Sequence, residues 1–278
     1  MRKFFALAFV FFSFGCATPM STLQKARTTP QGRVDVYAGV GANVSSGFIG
    51  DLSDLGESAA NKADDQIKNG EQPQLTNEDL ENLIGTAVSY TLFGPTPVTE
   101  FGGRIGILDN WDAGIAYTSA GFKFETKFMF MSQTDGSAVD LSLGLAGLRQ
   151  TYEPPVPGFL KDIFQLEEMT RTDIALTLLA GGENRLAFWY GGPKFVYSNL
   201  TLGFVEQISD ATQNTVTVDD NMLMFGGVIG GGIGWRYVHF LLELNALYYV
   251  YSANILDVPV DLTGVDFYPA FGLRIQFY

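Results

Sequence analysis

From residue 34 onward, apolar and polar residues alternate with a period of two over most of the chain. In 34–43 the even positions carry only valine and alanine, while the odd positions carry polar residues, tyrosine and glycine. In 264–278 the apolar residues fall at odd positions, and Asp266, Arg274 and Gln276 fall at even ones. Because successive side chains of a strand point to opposite faces, this period predicts β-strands with one apolar and one polar face.

Eight further segments repeat the pattern, at 99–108, 112–119, 121–131, 138–148, 170–181, 186–197, 222–235 and 238–252. Most are close to the ~9–11 residues that a tilted strand needs to cross a bilayer. We therefore predict an all-β protein, a transmembrane antiparallel up-and-down β-barrel of about ten strands. The barrel is expected to comprise 33–278.

The connections between these strands alternate in length. One side has the long loops 45–98, 149–169, 198–221 and 253–263, with a tight turn at 120; the other has the short turns 109–111, 132–137, 182–185 and 236–237. Trp111, Trp189 and Trp235 all fall near the short turns. Long outer loops, short periplasmic turns and aromatic girdles are typical of outer-membrane barrels. A soluble ten-stranded sandwich or lipocalin-like barrel shares the period of two and stays open as an alternative.

The N-terminus has the organisation of an export signal. Arg2 and Lys3 precede an apolar run that ends before Gly15 and Cys16, so 1–15 is predicted to be a signal peptide. The ending resembles a bacterial lipobox, which implies lipid attachment at Cys16, although Ser13 stands where an aliphatic residue is usual. Ordinary cleavage near Ala17 is the alternative. Residues 16–32 are polar and contain proline and glycine, which predicts a flexible tether with its N-terminus in the periplasm.

The C-terminus alternates up to a final aromatic pair. Its pattern consists of Gly272, Leu273, Ile275, Phe277 and Tyr278. This ending resembles the assembly signal of small Gram-negative outer-membrane β-barrel proteins. The resemblance implies insertion by the barrel assembly machinery and contact with outer-membrane lipids.

The first long connection, 45–98, differs from the rest of the chain. Nine acids and only two lysines lie between Asp51 and Glu81, and the apolar spacing there is helical. Thr76 and Asp79 resemble a capping box ahead of an apolar run. We therefore predict an acidic helical insert, which either plugs the lumen or caps the outer surface. Repeated glycines on the predicted lumen face favour close approach of another segment, or simply strong coiling of the strands.

The predicted lumen face carries charges of both signs. The candidates are Arg104, Asp112, Lys123, Glu125, Lys127, Asp140, Glu243 and Arg274. Ten strands are too few for a wide diffusion channel, which takes roughly 16–18. Two functions follow: a narrow or plugged barrel that binds or passes a small molecule and is gated by the insert, or a structural or surface-interaction barrel that binds a partner protein, lipopolysaccharide or another cell.

Composition argues against other chemistry. The net charge of −13 and the lack of a basic cluster argue against nucleic-acid binding. One histidine and one cysteine cannot form a nitrogen- or sulfur-ligated metal site, and no cofactor is expected. An oxygen-ligated calcium ion is conceivable in the acidic stretches, but these are more simply solvated. A hydrolase of the serine–histidine type would need His239, near a periplasmic turn, so we expect a protein that is not an enzyme.

Overall fold

The computed structural model describes residues 19–50, 85–86, 88–152, 165–209, 212–235, 237–255 and 258–277. The predicted signal peptide 1–15, the lipid attachment site Cys16, the terminal Tyr278 and the central part of the insert, 51–84, lie outside these ranges.

Antiparallel strands dominate the described chain. They are β1 Val34–Ala42, β2 Val44–Ser45, β3 Pro97–Leu108, β4 Trp111–Thr118, β5 Gly121–Met131, β6 Asp140–Tyr152, β7 Gln165–Glu183, β8 Ala187–Ser209, β9 Thr212–Trp235, β10 Val238–Ile255 and β11 Val258–Phe277. From β3 to β11 each strand pairs with the next, and β1 pairs with both β3 and β11. The sheet is therefore closed, with ten long strands around the lumen among the described residues and β2 paired to β11. The predicted ten-stranded barrel is confirmed.

Within the described ranges, helical structure is confined to the connections. Residues 46–50, 85–86 and 88–93 are helical and lie between β2 and β3, where the helical insert is predicted. A 3-10 turn, Gln133–Asp135, lies between β5 and β6. Among the described residues, no helix has the length and apolar character needed to span a membrane.

The two faces of the barrel have opposite character. On β11, Phe271, Leu273 and Phe277 are 53%, 52% and 55% exposed, whereas Ala270 and Arg274 on the other face are 3% and 2% exposed. The other long strands repeat this arrangement, with aromatic and aliphatic side chains outside and charged side chains inside. A soluble sandwich or lipocalin-like barrel buries its apolar face instead. An apolar outer face around a polar interior is the arrangement of a transmembrane β-barrel.

The two rims of the barrel differ in the length of their connections. We call the rim formed by 109–110, 132–139, 184–186 and 236–237 the short-turn rim, and the opposite rim the hairpin rim. Trp111, Trp189 and Trp235 are exposed and lie within two residues of strand ends at the short-turn rim. This position fits an aromatic girdle at a membrane interface.

At the hairpin rim the strands extend further than the sequence predicts. Much of the predicted loops 149–169, 198–221 and 253–263 belongs to strands β6 to β11, so these loop boundaries were wrong. The outward pairs of β8 and β9 show the reason; in order along the strands they are Phe195 with Phe225, Tyr197 with Leu223, Asn199 with Asn221, and Thr201 with Asp219. Beyond the apolar belt both faces of a strand meet water, so the alternation disappears while the backbone hydrogen bonds continue.

The segment before β1 also differs from its prediction. In place of a flexible tether over 16–32, the described residues 19–29 lie inside the closed barrel, and all but the half-buried Arg27 are buried. We call residues 19–32 the N-terminal segment. Its polar side chains and main chain find partners on the lumen wall, and these contacts cannot be read from local sequence.

Candidate functional site

The candidate site is the lumen, and the structure places all eight predicted lumen charges on its wall, buried. Arg104 of β3 lies between two acids, with its Nη2 2.5 Å from Asp112 Oδ1 and its Nη1 2.5 Å from Glu125 Oε2. Lys123 lies 3.0 Å from Glu125 and also contacts Glu100. The pairing of the neighbouring strands β3, β4 and β5 brings these side chains together. Inward-facing residues on adjacent strands lie directly opposite one another or two residues apart in register, which is within reach of long side chains.

The remaining predicted charges lie close to the short-turn rim. Arg274 of β11 is paired with Asp35 of β1, across the seam that closes the barrel. Lys127 Nζ lies 3.7 Å from Asp112 Oδ2. Asp140, at the start of β6, lies 3.2 Å from Arg27 of the N-terminal segment. Glu243 of β10 is treated below, because its partners include the same segment.

The N-terminal segment enters the barrel at the short-turn rim. Gly32 donates its main-chain N–H to the carbonyl oxygen of Gly106 at 2.9 Å. Thr28 donates its hydroxyl to the carbonyl oxygen of Asp109, in the β3–β4 turn, at 2.8 Å. The Thr29 N–H donates to Asp112 Oδ2 at 2.8 Å.

Further up the lumen, the contacts belong to lower residue numbers. Lys123 lies on β5 four residues before Lys127 in the sequence and farther from the short-turn rim. It donates to the carbonyl oxygen of Ser21 at 3.2 Å. Lys194 of β8 donates to the carbonyl oxygen of Met20. The segment therefore climbs from the short-turn rim to the middle of the barrel, with residue 19 at its inner end.

Charged side chains of the segment bind acids near the short-turn rim. Lys25 Nζ lies 2.6 Å from Glu183 Oε2, and Arg27 Nη1 lies 2.5 Å from Glu183 Oε1. Further up the lumen, the uncharged Ser21 donates its hydroxyl to Glu100 at 2.5 Å. The ion pairs are partly or fully removed from water, so losing one partner would leave an uncompensated charge.

Glycines of the wall make room for the segment. A Cβ added at Gly39 would lie 2.5 Å from Leu23 Cδ1, and one added at Gly181 would lie 2.8 Å from the Cβ of Ala26. A Cβ at Gly106 would overlap the carbonyl oxygens of the segment at residues 29 and 30. The close approach predicted from the lumen glycines is found here, but the approaching chain is the N-terminal segment. Other lumen glycines, such as Gly230 against Tyr190, face wall side chains instead.

The described ends of the insert occupy the lumen near the hairpin rim. Phe93 stacks on Tyr249 of β10 with ring centroids 3.8 Å apart, and Phe48 lies 5.5 Å from Tyr90. Val88 and Leu92 are buried beside them. Whether the insert plugs or caps the barrel depends on 51–84, which lie outside the described residues.

A cavity of about 40 Å³ lies between the segment and the wall. It adjoins Pro19 and Met20 and is bounded by Lys123, Asp173 and Lys194. That volume holds only a few water molecules. A larger cavity of about 370 Å³ opens at the short-turn rim, lined by Lys25, Glu183, Asn184, Arg185, Phe188, Tyr237, His239 and Gln276.

His239 belongs to this rim cavity. Its ring lies 5.5 Å from that of Phe188, and its Nδ1 has no hydrogen-bond partner among the described residues. No group of three or more histidine, cysteine, aspartate or glutamate side chains in the described ranges could hold a metal ion.

Several lumen residues escaped the sequence prediction. Lys194 lies on an inward strand position and follows the same alternation that identified the others. Glu183 falls in a predicted turn, and Lys25 and Arg27 in the predicted tether. No local pattern marks those three as lumen residues.

The residues of the predicted assembly signal lie at the end of β11, with their apolar side chains on the outer face. Leu273, Ile275 and Phe277 point outward from β11 and are exposed. Gly272 pairs with Gly39 of β1. Tyr278 lies outside the described residues.

Comparisons with known proteins give architecture alone. No family model and no curated protein matches the sequence. Solved structures with a similar fold include the outer-membrane protease OmpT from Escherichia coli (8% identity, TM-score 0.44, covering 90% of this chain and 98% of that chain). Others are Neisserial surface protein A (8%, 0.30, 88% and 96%) and the translocator domain of the autotransporter NalP from Neisseria meningitidis (10%, 0.34, 88% and 88%). At such identities and TM-scores these likenesses carry no information on activity or ligand, and what this chain shares with them is the β-barrel.

Proposed function

We propose that the protein is a non-enzymatic β-barrel of the Gram-negative outer membrane, in which the N-terminal segment closes a narrow lumen that binds or passes a small solute. The observation that carries this proposal is the burial of residues 19–29 in a lumen whose wall carries acids and bases among its buried apolar and aromatic side chains. The apolar belt supports the membrane location, and the short turns support a periplasmic short-turn rim.

The chemistry of the wall favours a removable closure over a permanent core. Acids and bases such as Glu100, Lys123 and Lys127 can be hydrated once the segment leaves, whereas an apolar core cannot be wetted without a large loss of free energy. Several of these charges are paired with one another on the wall and keep those partners without the segment. An emptied lumen would therefore expose charged groups that water can hydrate, beside apolar side chains of the wall such as Leu179 and Leu241.

A disulfide lock tests this closure in the full-length chain. The Cβ of Ala26 lies 2.8 Å from the Cβ position at Gly181, and a disulfide needs about 3.5–4.5 Å. A Cβ at residue 181 would also lie 2.5 Å from the main-chain carbonyl oxygen of Trp189, so both the segment and the paired strands β7 and β8 must shift for the disulfide to form. We expect A26C/G181C, made with Cys16→Ser, to conduct in planar bilayers when reduced and to be silent when oxidised. The reduced form of the same protein is the matched control. Equal conductance in both states would show that the segment is not the closure.

The acidic insert is tested in the same assay. The described ends of the insert pack inside the hairpin rim, which supports a second closure on the outer side. We expect removal of 51–84 to raise the conductance of the reduced A26C/G181C protein. Unchanged conductance would limit the insert to a surface role.

A surface-interaction barrel is the second candidate function. It is favoured by the hairpin of β8 and β9, which extends beyond the apolar belt with polar outward pairs such as Thr201 and Asp219. Silence of the reduced lock variant, with and without 51–84, would favour this role over solute passage.

A further inference from the structure

The lumen wall binds the main chain of the N-terminal segment as well as its side chains. Three lysines donate to its carbonyl oxygens: Lys127 to Lys25 and Arg27, at 2.7 and 3.1 Å, Lys123 to Ser21, at 3.2 Å, and Lys194 to Met20. Each residue of any polypeptide offers the same carbonyl oxygen. These contacts are therefore independent of the side chains that the segment carries.

Acids of the wall bind the main-chain N–H groups in the same way. Glu243 accepts from the N–H groups of Thr22 and Leu23, at 2.6 and 2.7 Å, through its two carboxylate oxygens. Asp112 accepts from Thr29. Only proline or an N-methylated residue would fail to supply such a donor.

The groups that bind the main chain are positioned by the wall itself. Glu243 also accepts from the Tyr190 hydroxyl at 2.5 Å and from Asn245 Nδ2 at 2.7 Å. Lys194 lies 3.2 Å from Asn245 Oδ1, and Lys123 keeps its two acids. The binding groups therefore keep partners when the segment is absent, and such preorganisation lowers the cost of binding an incoming chain.

The short-turn rim offers an entrance. The 370 Å³ cavity there is lined by Lys25 of the segment and by Glu183, and Glu183 and Asp140 are the acids of this rim that pair with basic side chains of the segment. Main-chain hydrogen bonds supply affinity and side-chain sites supply specificity in several known modes of peptide recognition.

We propose that the lumen is a binding site for a polypeptide segment entering from the short-turn rim, and that the N-terminal segment is its exchangeable resident. The ligand class is a peptide of about the segment's length, without regular secondary structure, without proline where Glu243 binds, and with basic side chains near the rim. This site goes beyond the proposed solute passage, because peptide exchange can occur in a barrel that never conducts.

The experiment uses the full chain, folded with its own segment. A protease recognition sequence is inserted between Gly32 and Arg33, which are exposed at the short-turn rim. After folding in detergent micelles the chain is cut, which turns the segment into a dissociable ligand. A synthetic peptide of residues 19–32, labelled at its C-terminus, is then added, and binding is followed by fluorescence anisotropy.

We expect the labelled peptide to bind the cut barrel and not the uncut one. A peptide of the same composition, reordered but with its basic residues and the residues that pack on Gly39 and Gly181, Leu23 and Ala26, in place, should bind within about tenfold of the native order. A peptide N-methylated at Thr22 and Leu23 should bind at least about tenfold more weakly, because Glu243 then loses two donors. The disulfide of A26C/G181C in the cut chain should abolish exchange.

Three results would each overturn the proposal. They are no exchange in a cut barrel that keeps its heat-modifiable migration, loss of binding on reordering alone, and undiminished binding of the N-methylated peptide. None of these measurements involves conductance, so failure here is distinguishable from failure of the proposed closure.

Discussion

At the scale of single residues, Arg104 forms ion pairs with two buried acids. Its guanidinium contacts both Asp112 and Glu125 at 2.5 Å. Arg104 and Asp112 are 3% and 0% exposed, so water cannot compensate for a lost partner. Asp112 also binds the N-terminal segment, which couples this ion-pair group to the closure of the lumen.

We expect Arg104→Met to lower the free energy of unfolding by about 3–5 kcal/mol, the usual cost of breaking a buried pair. Urea unfolding in lipid vesicles measures this. The double variant R104M/E125Q removes one acid together with the cation, keeps the pairs Lys123–Glu100 and Lys127–Asp112, and should recover most of the loss. A loss below about 1 kcal/mol in R104M would show that water reaches the pair.

Gly106 is the second residue with a sharply defined role. A side chain there would meet the main-chain oxygens of Thr29 and Pro30, which cannot rotate away as a side chain could. Gly103, on the same strand, has nothing closer than 3.6 Å to an added Cβ. The two glycines therefore form a matched pair.

We expect Gly106→Ala to expose the N-terminal segment and to speed trypsin cleavage at Lys25 and Arg27 by about tenfold, since cleavage follows the population of the open form. Gly103→Ala should be cleaved at the wild-type rate. Equal rates for the two variants would mean that the segment is held without the close contact at Gly106.

At the scale of the element, strand β9 is longer than the part of it that crosses the membrane. β9 runs over 24 residues, well beyond the ~9–11 that span a bilayer. Its outward face changes from Leu223 and Phe225 to Asn221 and Asp219. The lipid boundary on this strand therefore lies near Asn221, while the hydrogen-bonded ladder continues to Thr212.

A lysine placed at each side of that boundary tests it. Phe225→Lys should cost about 2–4 kcal/mol if its position is near the bilayer midplane, and Asn221→Lys about 0–1 kcal/mol near the interface. Both positions point outward on one strand, four residues apart, so each serves as the control for the other. Equal costs, measured by unfolding in vesicles, would place the boundary elsewhere.

At the scale of the whole molecule, closure of the sheet creates an interior that segments of the same chain occupy. β1 and β11, the two ends of the sheet, meet in an antiparallel pairing from Val34 with Phe277 to Gly41 with Ala270. The N-terminal segment occupies the lumen from the short-turn rim to the middle, and the described ends of the insert pack in the lumen near the hairpin rim. Both segments adjoin β1 in the sequence, one before it and one after it.

The sequence by itself determined the strands, their two faces and the inward charges, because strand geometry places alternate residues on opposite faces and this pattern is local. It therefore predicted Arg104, Glu243 and their neighbours as lumen residues. Only the tertiary structure decided what occupies the lumen and how far the strands extend. Leu23 finds Glu243 at a separation of 220 residues, and nothing in the residues around Leu23 encodes that contact. At the hairpin rim the strands likewise continue by backbone pairing alone. Both of their faces meet water there, so the sequence shows no alternation of apolar residues that would predict them.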